Sequence, residues 1–294
     1  MAKYDFEPGL SEYSLDVALS YGQGAGAVQM LRFVTEHTKL LHNPPYRDWG
    51  CYMTVGNTSA LDSTLRMFCE KGDCIIVDAY TFSTALETVS PLGIQTVPVQ
   101  MDKEGLIPEA LDRKLSNWDE SNVGSRKPFL LYMIPTGYNP TGATQSLERR
   151  EAIYTVAQKH ALYIVHTRGL VPSYLSLDTD GRVLRMDSLS KILAPGSHTG
   201  WVTASQQVIE KFIRQNETSS QHPSGYSQAI IFNLLNQHWG YLGFFKWLDK
   251  VRLEYTWRRD TFVQACLEFL PAKIAKIEPS EAGMFKLLAD LEKL

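Results

Sequence analysis

No apolar run in this sequence reaches the ~18 residues that a membrane-spanning helix requires. The first eight residues, Met1-Ala-Lys-Tyr-Asp-Phe-Glu-Pro8, lack the apolar stretch of a secretory signal. The expectation is a cytoplasmic protein with no membrane partner. Charge of one sign is also scarce. Lys and Arg number 29 against 32 Asp and Glu, a net charge of −3. No global basic field invites nucleic acid. Cysteine is rare: Cys51, Cys69, Cys74 and Cys266 form no CxxC pair and suggest no zinc site. They read as reduced thiols, buried or partly buried. With 20 Gly and 14 Pro in 294 residues, the chain is not low-complexity. It has no internal repeat and no Ser/Gly/Pro-rich linker. What it does have is 44% hydrophobic and 21% charged residues, enough for a large core in one large domain or two.

The middle of the chain alternates short β-like runs with helical patterns. Cys74-Ile-Ile-Val-Asp78 is a compact apolar run between turn residues, as a buried strand requires. Leu61, Leu65 and Phe68 give residues 59–70 one apolar helical face. Further strands are expected at 94–99, 129–134, 161–165, 183–186 and 201–203. Helices are expected at 84–89, 108–115, 146–160 and 206–215, with Ser146 as an N-cap. Such alternation implies a mostly parallel sheet with helices on both faces. Ligands then sit at the carboxyl ends of the strands. Beyond residue 224 the pattern changes to long helices at 228–237 and 244–269, the latter able to link two domains. Only a short strand-like piece near Met284-Phe285 follows.

Three segments carry chemistry. Asp187-Ser-Leu-Ser-Lys191 sets a lysine after a strand, with hydroxyls one and three residues before it. An amine there can form a Schiff base with an aldehyde, and hydroxyls can hold a phosphate. A surface loop lysine is the plain alternative. Pro135-Thr-Gly-Tyr-Asn-Pro-Thr-Gly142 puts Asn139 at the end of a strand, where its amide can reach a ring oxygen. An ordinary Asn-Pro turn reads the same way. Gly56-Asn-Thr-Ser-Ala-Leu61 precedes a helix and fits either an anion site or a simple cap. Asp178 and Asp180 read as a hairpin tip. Trp239, Trp247 and Trp257 read as packing residues, and 148–151 as a solvated helix face.

The order of these pieces resembles class I/II aminotransferases, the fold-type I pyridoxal phosphate (PLP) enzymes. The likeness is to the fungal aromatic and the kynurenine/aminoadipate branch in particular. It runs from about Tyr13 to Phe285. Its anchors are Ala18-Leu-Ser-Tyr21 with Gly24-Ala-Gly26, Asn139-Pro-Thr-Gly142, Leu177 to Val183, Ser188-Leu-Ser-Lys191 and His222-Pro-Ser224. The resemblance implies a three-layer α/β fold with a mostly parallel sheet and a smaller, incomplete α+β domain. It implies an N-terminal dimer-contact region at 1–45 and a PLP-binding domain at 46–220. An inter-domain helix and truncated small domain would occupy 221–294. It makes Lys191 the Schiff-base lysine and Asn139 the partner of the cofactor's 3′ oxygen. Phe82 would stack on the ring. Asn57, Thr58, Ser188 and Ser190 would hold the phosphate. Tyr21 would reach an active site across a homodimer interface. The implied reaction is transamination between an aromatic amino acid, kynurenine or 2-aminoadipate and a 2-oxo acid such as 2-oxoglutarate.

Three departures stand against that pattern. After the strand at 161–165, relatives carry an acidic, tyrosine-containing run whose Asp meets the ring nitrogen. Here His166-Thr-Arg-Gly-Leu-Val-Pro172 follows, so that run is missing. The phosphate-binding arginine is replaced by His198 in Pro195-Gly-Ser-His-Thr-Gly200. Both ends fall inside the family pattern, which implies an incomplete chain. Two alternatives follow: an impaired relative acting as a binding or dimerising module, or a PLP enzyme with lyase- or racemase-type chemistry.

Overall fold

The computed structural model describes residues 13–167, 172–270 and 280–283. It divides into two compact units, Met1–Lys71 with Leu170–Phe245 and Gly72–Gly169 with Lys246–Leu294.

In the first unit, helices α1 (Leu15–Leu19) and α2 (Val28–Leu41) precede strand β1 (Trp49–Thr54) and helix α3 (Asn57–Phe68). After the short α8 (Tyr174–Leu177) come β8 (Val183–Ser188), β9 (Gly200–Ser205), α9 (Gln206–Glu217) and α10 (Gly225–Phe232). β9 lies between β1 and β8, antiparallel to both. α2 buries Met30, Phe33, Val34 and His37 at helical spacing, which is why it folds against this sheet. β1 was not expected from the sequence. Its Trp-Gly-Cys-Tyr-Met-Thr run lacks alternation, and pairing with β9 defines it.

The second unit holds the parallel strands. β2 (Cys74–Asp78), β3 (Gln95–Val99), β6 (Leu130–Met133) and β7 (Tyr163–Thr167) run in the order β7-β6-β2-β3. All five residues of β2 and all four of β6 are buried, as near-continuous apolar strands demand. The connecting helices are α4 (Ser83–Val89), α5 (Pro108–Ser116), the short α6 (Glu120–Val123) and α7 (Leu147–Lys159), with a two-strand ribbon of β4 (Met101–Asp102) and β5 (Gly105–Leu106). Ser146 caps α7 by accepting from the Arg149 N–H, as expected. Helix α11 (Gly240–Phe269) replaces the expected 244–269 helix. The stretch Asn233–Trp239 before it is π-helical. The expected strand near Met284 lies outside the described residues.

Three smaller expectations change. Asp178 is no hairpin tip. It is buried between α8 and β8 and accepts from the Arg182 and Val183 N–H groups at 3.1 Å. Arg150 is buried rather than solvated, because its guanidinium donates to the Thr136 hydroxyl and Pro135 carbonyl. Trp257 is exposed and packs nothing of the core. All four cysteines are free, with Cys51, Cys74 and Cys266 buried. Among the described residues no helix is long and apolar enough to cross a membrane, and no cluster fits a metal.

Candidate active site

In the first unit the end of β8 and the start of α3 come together at two glycines. α3 begins at Asn57, two residues earlier than expected, after Gly56 at φ +93°. No side chain caps that helix, and its first turn holds no acid, so its N–H groups keep their positive field. A Cβ on Gly200 would lie 2.4 Å from the Asp187 carbonyl oxygen and 3.2 Å from Gly56 Cα. Only glycine allows that approach. Asn57 adds a bond from Nδ2 to the Met186 carbonyl at 3.4 Å.

The turn after β8 carries the hydroxyls and the amine. Ser188 Oγ donates to Ser190 Oγ at 3.0 Å and accepts from the Ser190 N–H at 3.2 Å. The Leu193 N–H to Leu189 carbonyl bond, 2.8 Å, closes the turn around Lys191, which is exposed. Asn57, Ser188 and Ser190 are half-buried, and Thr58 is exposed. His198 is exposed too, in a left-handed conformation at φ +43° after the 3₁₀ turn Pro195–Ser197. Tyr21 stands apart from this group at 93% exposure. Behind β8, Arg185 and Asp187 form an ion pair at 2.7 Å. Burial lowers the pKa of His37 to about 4, with the Asp187 carboxylate opposing. Burial, then the Arg185 charge, lowers that of His42 to about 3.

In the second unit Asn139 sits in a pinched turn after β6. The Gly142 N–H donates to the Tyr138 carbonyl at 2.7 Å, and the Tyr138 N–H to the Ala143 carbonyl at 2.9 Å. Gly137 and Gly142 both take positive φ, +56° and +77°. Phe82 is half-buried at the N-cap of α4. Asp78, at the carboxyl end of β2, was not anticipated as a site residue. Its pKa is pushed up to about 7 by burial. An acid closing an apolar run is the only sequence signal it gives. His166 ends up fully buried near the carboxyl end of β7. Arg168, which follows, lies outside the described residues.

A family model, "Aminotransferase class I and II", matches residues 33–292. The chain belongs to the class I and II aminotransferases. It is 45% identical over 299 residues to an aromatic amino acid aminotransferase of Schizosaccharomyces pombe, spanning 92% of this chain and 63% of the relative. It is also 45% identical over 291 residues to aminotransferase swnA of Metarhizium robertsii, spanning 94% of this chain and 58% of that one. Aminotransferase Aro8 from Candida albicans superposes with a TM-score of 0.88 at 40% identity, covering 95% of this chain and 63% of that chain. The fold is therefore the α/β fold type I of these enzymes. This chain spans less than two thirds of those relatives' lengths. The Schizosaccharomyces alignment covers 299 residues yet draws on 92% of a 294-residue chain. It therefore steps over relative positions that have no counterpart here.

The residues of the first unit fit the phosphate and aldehyde ends of PLP. The uncapped helix start, the glycine-tight junction, the paired hydroxyls and the exposed amine are all present. Histidine in place of arginine at 198 is the weak point of that fit, since it gives no permanent bidentate contact.

Proposed function

We propose that this aminotransferase carries out PLP-dependent transamination of an aromatic amino acid with a 2-oxo acid such as 2-oxoglutarate. The observation that carries the reading is Lys191, held in the Ser188–Leu193 turn at the end of β8, where the glycine junction brings up the start of α3. PLP, when bound, supplies an aldehyde and an electron-accepting ring. Lys191 supplies the amine that anchors it and the base that moves a proton at the substrate Cα. Ser188, Ser190, Thr58 and Asn57 bind phosphate oxygens, aided by the N–H groups of α3. His198 offers a single further contact. Asn139 donates its amide to the ring's 3′ oxygen, and Phe82 covers one ring face. The aromatic preference is supported by the name of the Schizosaccharomyces relative.

The same proposal takes the chain as a homodimer with Tyr21 facing the partner's site. Leu15, Val17, Leu19 and Tyr21 are all exposed on or just after α1, which supports a protein neighbour there. It assigns 1–45 to dimer contact, 46–220 to the cofactor domain and 221–294 to the linking helix and small domain. Four free thiols support a reducing compartment, the cytoplasm.

The deciding experiment is an absorption spectrum of the protein with added PLP, before and after borohydride, beside Lys191→Ala. A Lys191-dependent band that reduction fixes, with amino transfer from tyrosine to 2-oxoglutarate, supports the proposal. A band without transfer from any amino donor favours lyase- or racemase-type chemistry. No band leaves the chain a binding or dimerising relative.

A further inference from the structure

Behind the Asn139 turn runs a polar chain to which no role above is given. Asp78 closes β2 with 0% exposure. Neither of its carboxylate oxygens has a hydrogen-bond partner of good geometry. A carboxylate so placed is expensive to ionise. The polar groups that act on it are the Tyr138 hydroxyl and the Asp78 and Leu106 backbone amides. Tyr138 is itself buried, and its hydroxyl shares a hydrogen bond with Thr81 Oγ1 at 3.1 Å. Burial, then the Asp78 charge, raises the Tyr138 pKa well above its ordinary value, and Tyr132 of β6 acts on it weakly. Tyr138 directly precedes Asn139, and Thr81 directly precedes Phe82.

We propose that the hydrogen bond between the Tyr138 and Thr81 hydroxyls is a positioning link that fixes Asn139 and Phe82 relative to each other. The two residues thereby set how the cofactor ring is held. This rests on the cofactor reading above. The backbone of Tyr138 is bonded on both sides, to Gly142 and Ala143, which holds it in the same turn as Asn139. Thr81 carries the link into the segment that starts α4. Either hydroxyl can donate in the bond between Tyr138 and Thr81, and loss of either one breaks the link.

Tyr138→Phe and Thr81→Val test this in two ways. In the cofactor-free protein, hydrogen exchange of Tyr138→Phe should rise about tenfold in both 79–84 and 136–143. With PLP, the pH midpoint of the Lys191-dependent band should move by about one unit in both variants. Thr81→Ser, which keeps the hydroxyl, should hold the wild-type midpoint. A residue that merely stabilises the fold would lower the unfolding temperature and leave the midpoint in place. Exchange that rises in one segment alone, or a wild-type band whose midpoint stays put in the variants, overturns the proposal while the cofactor reading stands. If the wild type gives no band, the cofactor reading fails and the positioning role falls with it.

Discussion

In the proposed cofactor site, the charge at position 198 should set how firmly the phosphate is held. The His198 backbone adopts φ +43°, a left-handed conformation that histidine takes more readily than arginine, so an arginine there bears a small added backbone strain. A guanidinium there would be permanently charged and able to bind phosphate through two parallel N–H groups. His198→Arg should therefore tighten PLP binding by ~1.5–3 kcal/mol, roughly tenfold or more, in equilibrium dialysis. An unchanged affinity would show that the phosphate is not bound beside residue 198. A second single-residue case concerns folding alone. The Asp178 carboxylate, itself buried, accepts from three backbone N–H groups that would otherwise lose those partners. Asp178→Ala should cost ~2–4 kcal/mol in urea unfolding, and Asp178→Asn distinctly less. Equal losses would mean that packing, not hydrogen bonding, sets its role.

The junction of α3 with β8 and β9 separates two reasons for glycine. Gly56 has φ +93° and ψ 178°, a region open essentially to glycine alone, yet a Cβ there would meet nothing within 4 Å. Gly56→Ala should cost ~1–3 kcal/mol of backbone strain. Gly200 has ordinary φ but stands against backbone, so Gly200→Ala must push β8 and α3 apart. That variant should lose the same stability and PLP binding as well, whereas Gly56→Ala keeps measurable binding. Thermal unfolding beside dialysis separates the two; equal PLP affinity in both variants would contradict it. The alternation of strands and helices was legible because burial on both faces forces continuous apolar runs such as Cys74 to Val77. The Ser146 cap was legible because capping is local. β1 was not, since its identity comes from pairing with β9, 150 residues away. The π-helical stretch at 233–239 has a pattern that an α-helix would share. Lys191, its serines and Asn139 announce themselves as motifs. The buried Asp78 and the Tyr138–Thr81 link do not, because they come about only once β2 and β6 pair.

Over the whole molecule, proton linkage runs in opposite senses in the two units. In the first, His37 and His42 are held neutral by burial, with pKa values lowered from 6.5 to about 4 and about 3. Unfolded histidines take up protons below ~6.5 that the native ones refuse, so this stability is present above that pH and lost as pH falls toward 4. In the second, Asp78 is raised from 3.8 to about 7. The unfolded carboxyl ionises from ~4 upward while the native one stays neutral, so stability is lost as pH rises toward 7. Between pH ~4.5 and ~6 the unfolded chain therefore gains two histidine protons and gives up one aspartate proton. For these three groups, stability should rise with pH by about 1.4 kcal/mol per unit. Asp78→Asn removes the opposing proton, so the slope should steepen to about twice that value. The same variant should be more stable than wild type by ~4 kcal/mol at pH 8, with the advantage vanishing near pH 4. Replacing both histidines with glutamine should reverse the sign of the slope. Urea unfolding across pH 4.5–8 measures all of this. A slope that Asp78→Asn leaves unchanged would mean that the native carboxylate ionises at an ordinary pH despite its burial.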